Sequence, residues 1–133
     1  MIYLLDTNTC VVYLNQPDSR VRERIHDHRR EHIAICSVVK AELFYGAMKS
    51  RWPEKTLAKQ QGFLAMFVSL PFDDRAAQQF GQIRATLERQ GKPIGPYDLQ
   101  IAATALANDL IVITHNTGEF GRVPGLKHED WEI

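Results

Sequence analysis

Four acidic side chains stand where the sequence otherwise favours apolar or small residues: Asp6, Glu42, Asp98 and Glu119. Each lies close to the predicted end of a strand or start of a helix. A buried carboxylate is unfavourable unless a positive group compensates its charge. Carboxylate oxygens from several segments are the preferred ligands of hard divalent cations. If the four acids converge, they therefore predict a cation site, and with it an enzyme.

Asp98 has the clearest pattern of the four. Positions 98, 101, 102 and 105 follow helical spacing and hold Asp, Ile, Ala and Ala, which places the acid on a buried face. An acid in the first turn of a helix gains about 0.3–1 kcal/mol from the helix dipole wherever its side chain points. An outward-facing Asp would be enough for that gain. The apolar stripe therefore favours a functional role.

The case for a functional role of Glu42 and Glu119 rests more on the neighbouring residues in the sequence. Glu42 is an acid on a largely apolar helical stripe, with Val38 and Val39 before it and Tyr45 after it. Glu119 follows the strongest predicted strand and precedes an apolar Phe, which is expected to anchor the loop. Taken alone, Glu119 is an ordinary loop acid, and it gains weight only with the other three.

Short apolar runs alternate with amphipathic segments, which predicts an α/β domain with a mostly parallel sheet. In such sheets, sites gather beyond the carboxyl ends of the strands, and Asp6 directly follows the first strand. Thr7 or Asn8 is expected to cap the first helix and Ser37 the third. We predict strands at 2–5, 33–36, 67–70 and 110–114 with a short edge strand in the tail, and helices at about 9–15, 20–30, 37–49, 73–90 and 97–108 with another from Glu54.

Length and composition fit one ordinary globular domain. The chain has 133 residues, of which 44% are hydrophobic and 24% charged. It holds no apolar run long enough for a membrane span, and its first residues resemble a strand more than a signal peptide. We therefore expect a cytoplasmic protein. Cys10 and Cys36 stand in apolar contexts without metal-ligand spacing, so buried, reduced thiols are expected.

Larger segments of the chain resemble a known family. These are LLDTN (4–8), AELFYGA (41–47), RQGKPIGPYDLQIAATA (89–105) and ITHNTGEF (113–120), followed by VPGL (123–126) and EDW (129–131). In this order and spacing, the chain resembles the PIN-domain ribonucleases of the VapC toxin family over essentially its whole length. The resemblance implies a single PIN domain, 1–133. Its expected fold is a three-layer α/β/α sandwich with a mostly parallel sheet of about five strands.

The resemblance also implies an activity, a Mg²⁺- or Mn²⁺-dependent endoribonuclease. Such a metal can activate a bound water as the nucleophile and stabilise the charge that develops on the phosphate. Four nearby carboxylates without metal would repel one another, and some would take up protons. The family's catalytic and metal-binding acids map onto Asp6, Glu42, Asp98 and Glu119.

Polar neighbours of these acids also match the family. The family motif after the last main strand is T-x-N-x-x-acid-F, which Thr114, Asn116 and Glu119 fit. The last acid is often Asp in relatives, so Glu119 is one methylene longer and reaches the metal directly or through water. Asn116 is expected to orient an acid or a metal-bound water. Thr7 and Asn8 are expected to support the acids or to cap the helix.

RNA needs positive charge that the acids do not provide, because carboxylates repel phosphates. The net charge is zero, which favours recognition of a shaped RNA over loose binding of any strand. Members of the resembled family commonly cut structured RNAs, several of them at the tRNA anticodon region, so tRNA is the candidate substrate. The candidate phosphate-binding residues are Lys40, Lys49, Arg84 and Lys92.

The resemblance further implies protein partners. These are a VapB-type antitoxin that blocks the acidic site and a second copy of the chain, as a homodimer within a larger complex. Seven apolar side chains exceed what one helix face must bury, and they line a partner groove, a homodimer contact or the core. They are Val11, Val12, Tyr13, Leu14, Phe63, Met66 and Phe67.

The residues alone also allow two other functions. A regulatory binding module without catalysis would tolerate the loss of one acid. A phosphatase of the haloacid dehalogenase type also has an acid after its first strand. That family requires a second acid two residues further on, where this chain has Asn8.

Overall fold

The centre of the protein is a five-stranded sheet in which every pair of neighbouring strands is parallel. A computed structural model describes all 133 residues. The expected edge strand in the tail is confirmed, since it pairs with the strand at Ile111–Ile113. The strands are β1 Tyr3–Leu5, β2 Ile33–Cys36, β3 Val68–Leu70, β4 Ile111–Ile113 and β5 His128–Glu129, in the spatial order β3-β2-β1-β4-β5.

Seven α-helices connect or follow the strands, and most lie within two residues of their predicted bounds. They are α1 Thr7–Asn15, α2 Arg20–Asp27, α3 Ser37–Met48, α4 Pro53–Leu64, α5 Asp74–Arg89, α6 Pro96–Ala107 and α7 Thr117–Phe120. The predicted helix at 20–30 begins at the right residue but is too long, because α2 ends at Asp27 and the chain resumes as a 3₁₀ turn at Arg30–His32. His28 is extended, and its ring Nδ1 donates to the Arg24 carbonyl at 2.6 Å, which closes the helix end.

The predicted caps of two helices are wrong. Asp6 caps α1, since its Oδ1 accepts a hydrogen bond from the backbone N–H of Thr9 at 2.8 Å. Thr7 is already the first residue of that helix, so the helix begins directly after the strand. Ser37 likewise is the first residue of α3, and its hydroxyl donates to the carbonyl of Leu70 at 3.4 Å. Strand and helix therefore follow one another without a loop at both places.

Helices cover both faces of the sheet. Successive side chains of a strand point to opposite faces, yet Leu4 and Leu5 of β1 are both fully buried, as are all four residues of β2. The predicted three-layer arrangement is therefore confirmed. Cys10 and Cys36 are buried free thiols, as expected. None of the helices combines the length and the apolar character that crossing a membrane requires.

The order of the strands fixes the place where a site is expected. The chain runs from β1 outward to β2 and β3, and then returns to the other side of β1 as β4 and β5. The direction of winding thus reverses between β1 and β4. In open parallel sheets, ligands bind in the crevice that such a reversal leaves beyond the carboxyl ends of the strands.

Candidate functional site

Asp6 lies at this reversal. Its backbone N–H donates to the carbonyl of Ile113, the last residue of β4, at 3.1 Å. Asp6 therefore lies between β1 and β4, where the direction of winding reverses. The side chain is only 3% exposed. Burial raises the pKa of Asp6, while hydrogen bonds from Thr114 and Thr9 lower it, and the nearby charge of Asp130 raises it further. A carboxylate is thus fixed in a largely apolar position.

Glu42 lies in the second turn of α3 and is half-buried. Its Oε1 accepts a hydrogen bond from the hydroxyl of Thr7 at 2.6 Å. This contact joins α3 to the first turn of α1, and Thr7 is adjacent to Asp6. The hydrogen bond to Glu42 is consistent with the predicted supporting role of Thr7. Asn8 is exposed and makes no side-chain hydrogen bond.

Asp98 lies in the first turn of α6 and is half-buried. The predicted stripe is present, since Ile101, Ala102 and Ala105 are fully buried. The pKa of Asp98 is raised from 3.8 to about 6, first by burial and then by the charge of Asp6. A hydrogen bond to Glu119, the charge of that residue and the charge of Glu42 raise it further.

Glu119 lies in the short helix α7 and is half-buried. Its Oε2 accepts a hydrogen bond from the side-chain amide of Asn116 at 3.1 Å. The backbone N–H of Asn116 in turn donates to the hydroxyl of the buried Thr114 at 2.9 Å. Phe120 is fully buried and anchors the segment, as expected. The charges of Asp6, Glu42 and Glu119 all act on Asp98, and we call these four residues the four-acid cluster.

A second group of ligand-type side chains, which we call the histidine cluster, consists of His115, Asp130 and Glu132. It is the one group of three or more such side chains whose ligand atoms all lie within 4.8 Å of one another. His115 Nδ1 lies 2.8 Å from Asp130 and 3.8 Å from Glu132. The hydrogen bond to Asp130 and the charges of both acids raise the pKa of His115. The sequence analysis missed this group, because only the pairing of β5 with β4 brings its members together.

Lys49 is the one predicted phosphate-binding residue that shares a hollow with a member of the four-acid cluster, namely Glu42. On the other side of Glu42, a cleft of about 450 Å³ is lined by Thr7 together with Lys55 and Lys59. The sequence analysis missed these two lysines. Their spacing on α4 is visible in the sequence, but the packing of α4 beside α1 is not.

The other three predicted phosphate-binding residues lie elsewhere. The ammonium group of Lys40 donates to the hydroxyl of Ser69 at 2.7 Å. Arg84 pairs with Glu88 on the same helix at 3.0 Å. Lys92 is exposed in the turn after α5. The structure brings none of them into contact with the four-acid cluster.

The suggested apolar partner groove is mostly core. Tyr13, Leu14 and Phe63 are buried, and Met66 and Phe67 are packed against the same core. The aromatic rings of Tyr13 and Phe63 lie 4.5 Å apart, which explains why these residues look excessive for a single helix face. Of the seven residues, only Val11 is exposed.

Comparison with known proteins relates the whole chain to one family. The PIN domain family matches residues 3–126. The chain is 46% identical over 129 residues to the tRNA(fMet)-specific endonuclease VapC of Shigella flexneri, covering 97% of both chains. It is 36% identical over 129 residues to ribonuclease VapC2 of Haemophilus influenzae, again covering 97% of both.

Solved structures give the same result at the level of the fold. The crystal structure of DNA-bound VapBC from Salmonella typhimurium contains a chain that superposes with a TM-score of 0.94 at 43% identity, covering 98% of both chains. A chain in VapBC2 from Rickettsia felis, bound to a promoter DNA fragment, superposes with a TM-score of 0.92 at 36% identity, covering 98% of this chain and 99% of that chain. The protein therefore belongs to the PIN-domain family and, within it, to the VapC ribonucleases.

Proposed function

We propose that this protein is the toxin of a toxin–antitoxin pair, a metal-dependent endoribonuclease that hydrolyses phosphodiester bonds in structured RNA. The observation that carries the proposal is the four-acid cluster at the winding reversal, with the pKa of Asp98 raised to about 6. Relatives named tRNA(fMet)-specific endonuclease support tRNA as the substrate. The cytoplasm, where tRNA is found, would be the place of action.

The four-acid cluster fits a hard cation by the chemistry of its donors. All four side chains offer carboxylate oxygens, and none of them forms a salt bridge with a Lys, Arg or His. Their mutual repulsion helps to raise the pKa of Asp98, so a positive charge is what the group needs. Mg²⁺ and Mn²⁺ prefer oxygen ligands, and Mg²⁺ keeps several waters, so the acids need not close tightly on one another. Asp6, Glu42, Asp98 and Glu119 would hold the ion.

When bound, such an ion lowers the pKa of a coordinated water and offsets charge on the reacting phosphate. The protein's own contribution is to fix its carboxylates before substrate arrives. The Thr9 N–H holds Asp6, the Thr7 hydroxyl holds Glu42, and the Asn116 amide holds Glu119. Asp98 has the strongly raised pKa, so it must lose its proton before the group reaches full charge.

The partner of this toxin would be a VapB-type antitoxin. Several solved relatives are VapBC complexes, which supports this assignment. We extend the proposal to a homodimer within the larger complex. The phosphatase alternative lacks support, because Asn8 is an exposed amide and supplies no second carboxylate.

The test is to incubate purified protein with total RNA in the presence of Mg²⁺, with and without EDTA, and to map the cut ends by sequencing. We expect discrete cuts in structured RNA that EDTA abolishes. An RNA pool left intact under all divalent cations tried would reject the ribonuclease in favour of the regulatory module. Cleavage that EDTA leaves unchanged would reject the metal.

A further inference from the structure

Three exposed aromatic side chains surround the acid Glu42, and they are the only exposed aromatic residues of the protein. Tyr45 is 67%, Trp52 62% and Tyr97 57% exposed. Tyr45 and Tyr97 line one hollow with Glu42, and Trp52 lines the adjoining cleft with the same acid. Tyr97 also directly precedes Asp98. We call these three residues the aromatic surface.

Cations lie over two of these rings. The ammonium nitrogen of Lys49 is 4.7 Å from the ring centroid of Tyr45. The guanidinium carbon of Arg51 is 5.3 Å from the ring centroid of Trp52. Positive charge is thus held beside an acidic cluster that would by itself repel a polyanion. Rings alternating with cations are typical of surfaces that bind single-stranded nucleic acid.

These exposed rings suit flat partners that are not already stacked. Bases inside an RNA helix have both faces covered, and the deep, narrow major groove of that helix excludes side chains. Unpaired bases of a loop can leave the stack and lie on tyrosine or tryptophan rings. The cations over the rings are then placed for the phosphates that connect those bases.

We propose that the aromatic surface binds unpaired bases next to the phosphate that is cut, while Lys49 and Arg51 bind the flanking phosphates. The new element is the assignment of these residues to the unpaired bases, since a continuous duplex offers no free base face to the rings. This inference rests on the proposed ribonuclease function and adds the residues that determine which part of an RNA enters the site.

The test uses a fluorescently labelled RNA stem–loop and the same strand fully paired with its complement. Anisotropy in EDTA gives the Kd, and cleavage in Mg²⁺ gives KM and kcat. Tyr45→Ala and Tyr97→Ala are expected to raise Kd and KM for the stem–loop about tenfold each, with a smaller effect on kcat. Tyr45→Phe and Tyr97→Phe keep the ring and should recover most of the affinity that the alanine variants lose. Met48→Ala is the matched control, because Met48 is 54% exposed on the same helix but does not line the hollow.

Three results would overturn the inference. In the first, wild-type protein cuts the stem–loop, but both alanine variants keep its KM. In the second, the alanine variants lose as much affinity for the duplex as for the stem–loop. In the third, light scattering shows that the alanine substitutions split a dimer, which would make the aromatic surface a contact between copies. Failure of wild-type protein to cut any RNA is distinct from these, because it rejects the ribonuclease itself.

Discussion

The carboxyl end of the sheet carries two groups of ligand-type side chains that differ in how their charge is compensated. The histidine cluster is the tighter of the two, with its ligand atoms within 4.8 Å of one another, and it contains its own cation when His115 is protonated. The four-acid cluster contains no cationic side chain, and none of its members forms a salt bridge. Distance alone would select the histidine cluster, whereas we propose the four-acid cluster as the catalytic centre.

The direction of the pKa shifts separates the two groups. Repulsion and burial raise the pKa of Asp98, which favours its neutral form. Attraction to two acids raises the pKa of His115, which favours its charged form. The fold therefore leaves the charge of the first group uncompensated, whereas it compensates the charge of the second. Groups whose charge the fold leaves uncompensated are the better candidates for binding and catalysis.

The largest expected effect is on RNA cleavage. Asp98→Asn removes a carboxylate from the four-acid cluster with little change of shape, and we expect kcat to fall about 10²- to 10³-fold. Glu132→Gln is the matched change in the histidine cluster and should leave cleavage near wild type. Initial rates on one RNA stem–loop in Mg²⁺ compare the two variants. Full activity in Asp98→Asn would remove the distinction between the clusters.

Substitutions in the two clusters should also differ in their effect on metal binding. Titration calorimetry with Mn²⁺ is expected to show binding to wild-type protein that Glu42→Gln weakens at least about tenfold. His115→Ala removes the only imidazole of the histidine cluster and should leave the binding isotherm unchanged. The reverse pattern, with binding lost in His115→Ala and kept in Glu42→Gln, would assign the metal to the tighter group.

The uncompensated charge of the four-acid cluster should also make the stability of the metal-free protein depend on pH. The folded-state pKa of Asp98, about 6, lies above its ordinary value of 3.8, so the folded chain holds this proton more tightly than the unfolded chain does. The free energy of unfolding should therefore fall as pH rises from 3.8 to about 6. Buried Asp6 contributes in the same direction.

Urea unfolding in EDTA across that range measures this slope. Asp98→Asn should flatten it, while Glu132→Gln should keep it. Added Mn²⁺ should reverse the trend, because metal and proton compete for the same oxygens. An Asp98→Asn protein with the wild-type slope would show that the raised pKa belongs to another group.

Local patterns predicted the framework of the site well. Apolar runs placed β2 and β4 almost to the residue, and helical spacing placed Asp98 on a face whose other members are fully buried. An apolar helical stripe, together with the family motif, indicates Glu42, while Glu119 depends on the resemblance to the family. These features depend on residues that are close in sequence or on motifs of fixed spacing.

What the sequence did not reveal depends on local backbone geometry or on contacts between distant segments. Asp6 itself caps α1 by accepting from the Thr9 N–H, whereas the sequence offers Thr7 or Asn8 for that position. The four-residue helix α7 is too short to show the hydrophobic periodicity by which a helix is predicted. Lys55 and Lys59 reach the site only through the packing of α4 beside α1. His115 meets Asp130 only through the two-residue strand β5.

The smallest expected effect concerns the histidine cluster itself. The folded-state pKa of His115 is raised above 6.5, so its ion pairs stabilise the protein fully below that pH and lose their effect as pH rises through the raised value. His115→Gln should abolish only this upper part of the pH dependence and leave the slope between 3.8 and about 6 intact. The change should be small and should vanish in high salt, because the imidazole is exposed and its ion pairs are screened. RNA cleavage should stay at the wild-type rate, since a cluster that already contains its cation has no need of the catalytic metal. A His115→Gln protein that folds normally but no longer cuts RNA would join the two clusters into a single site.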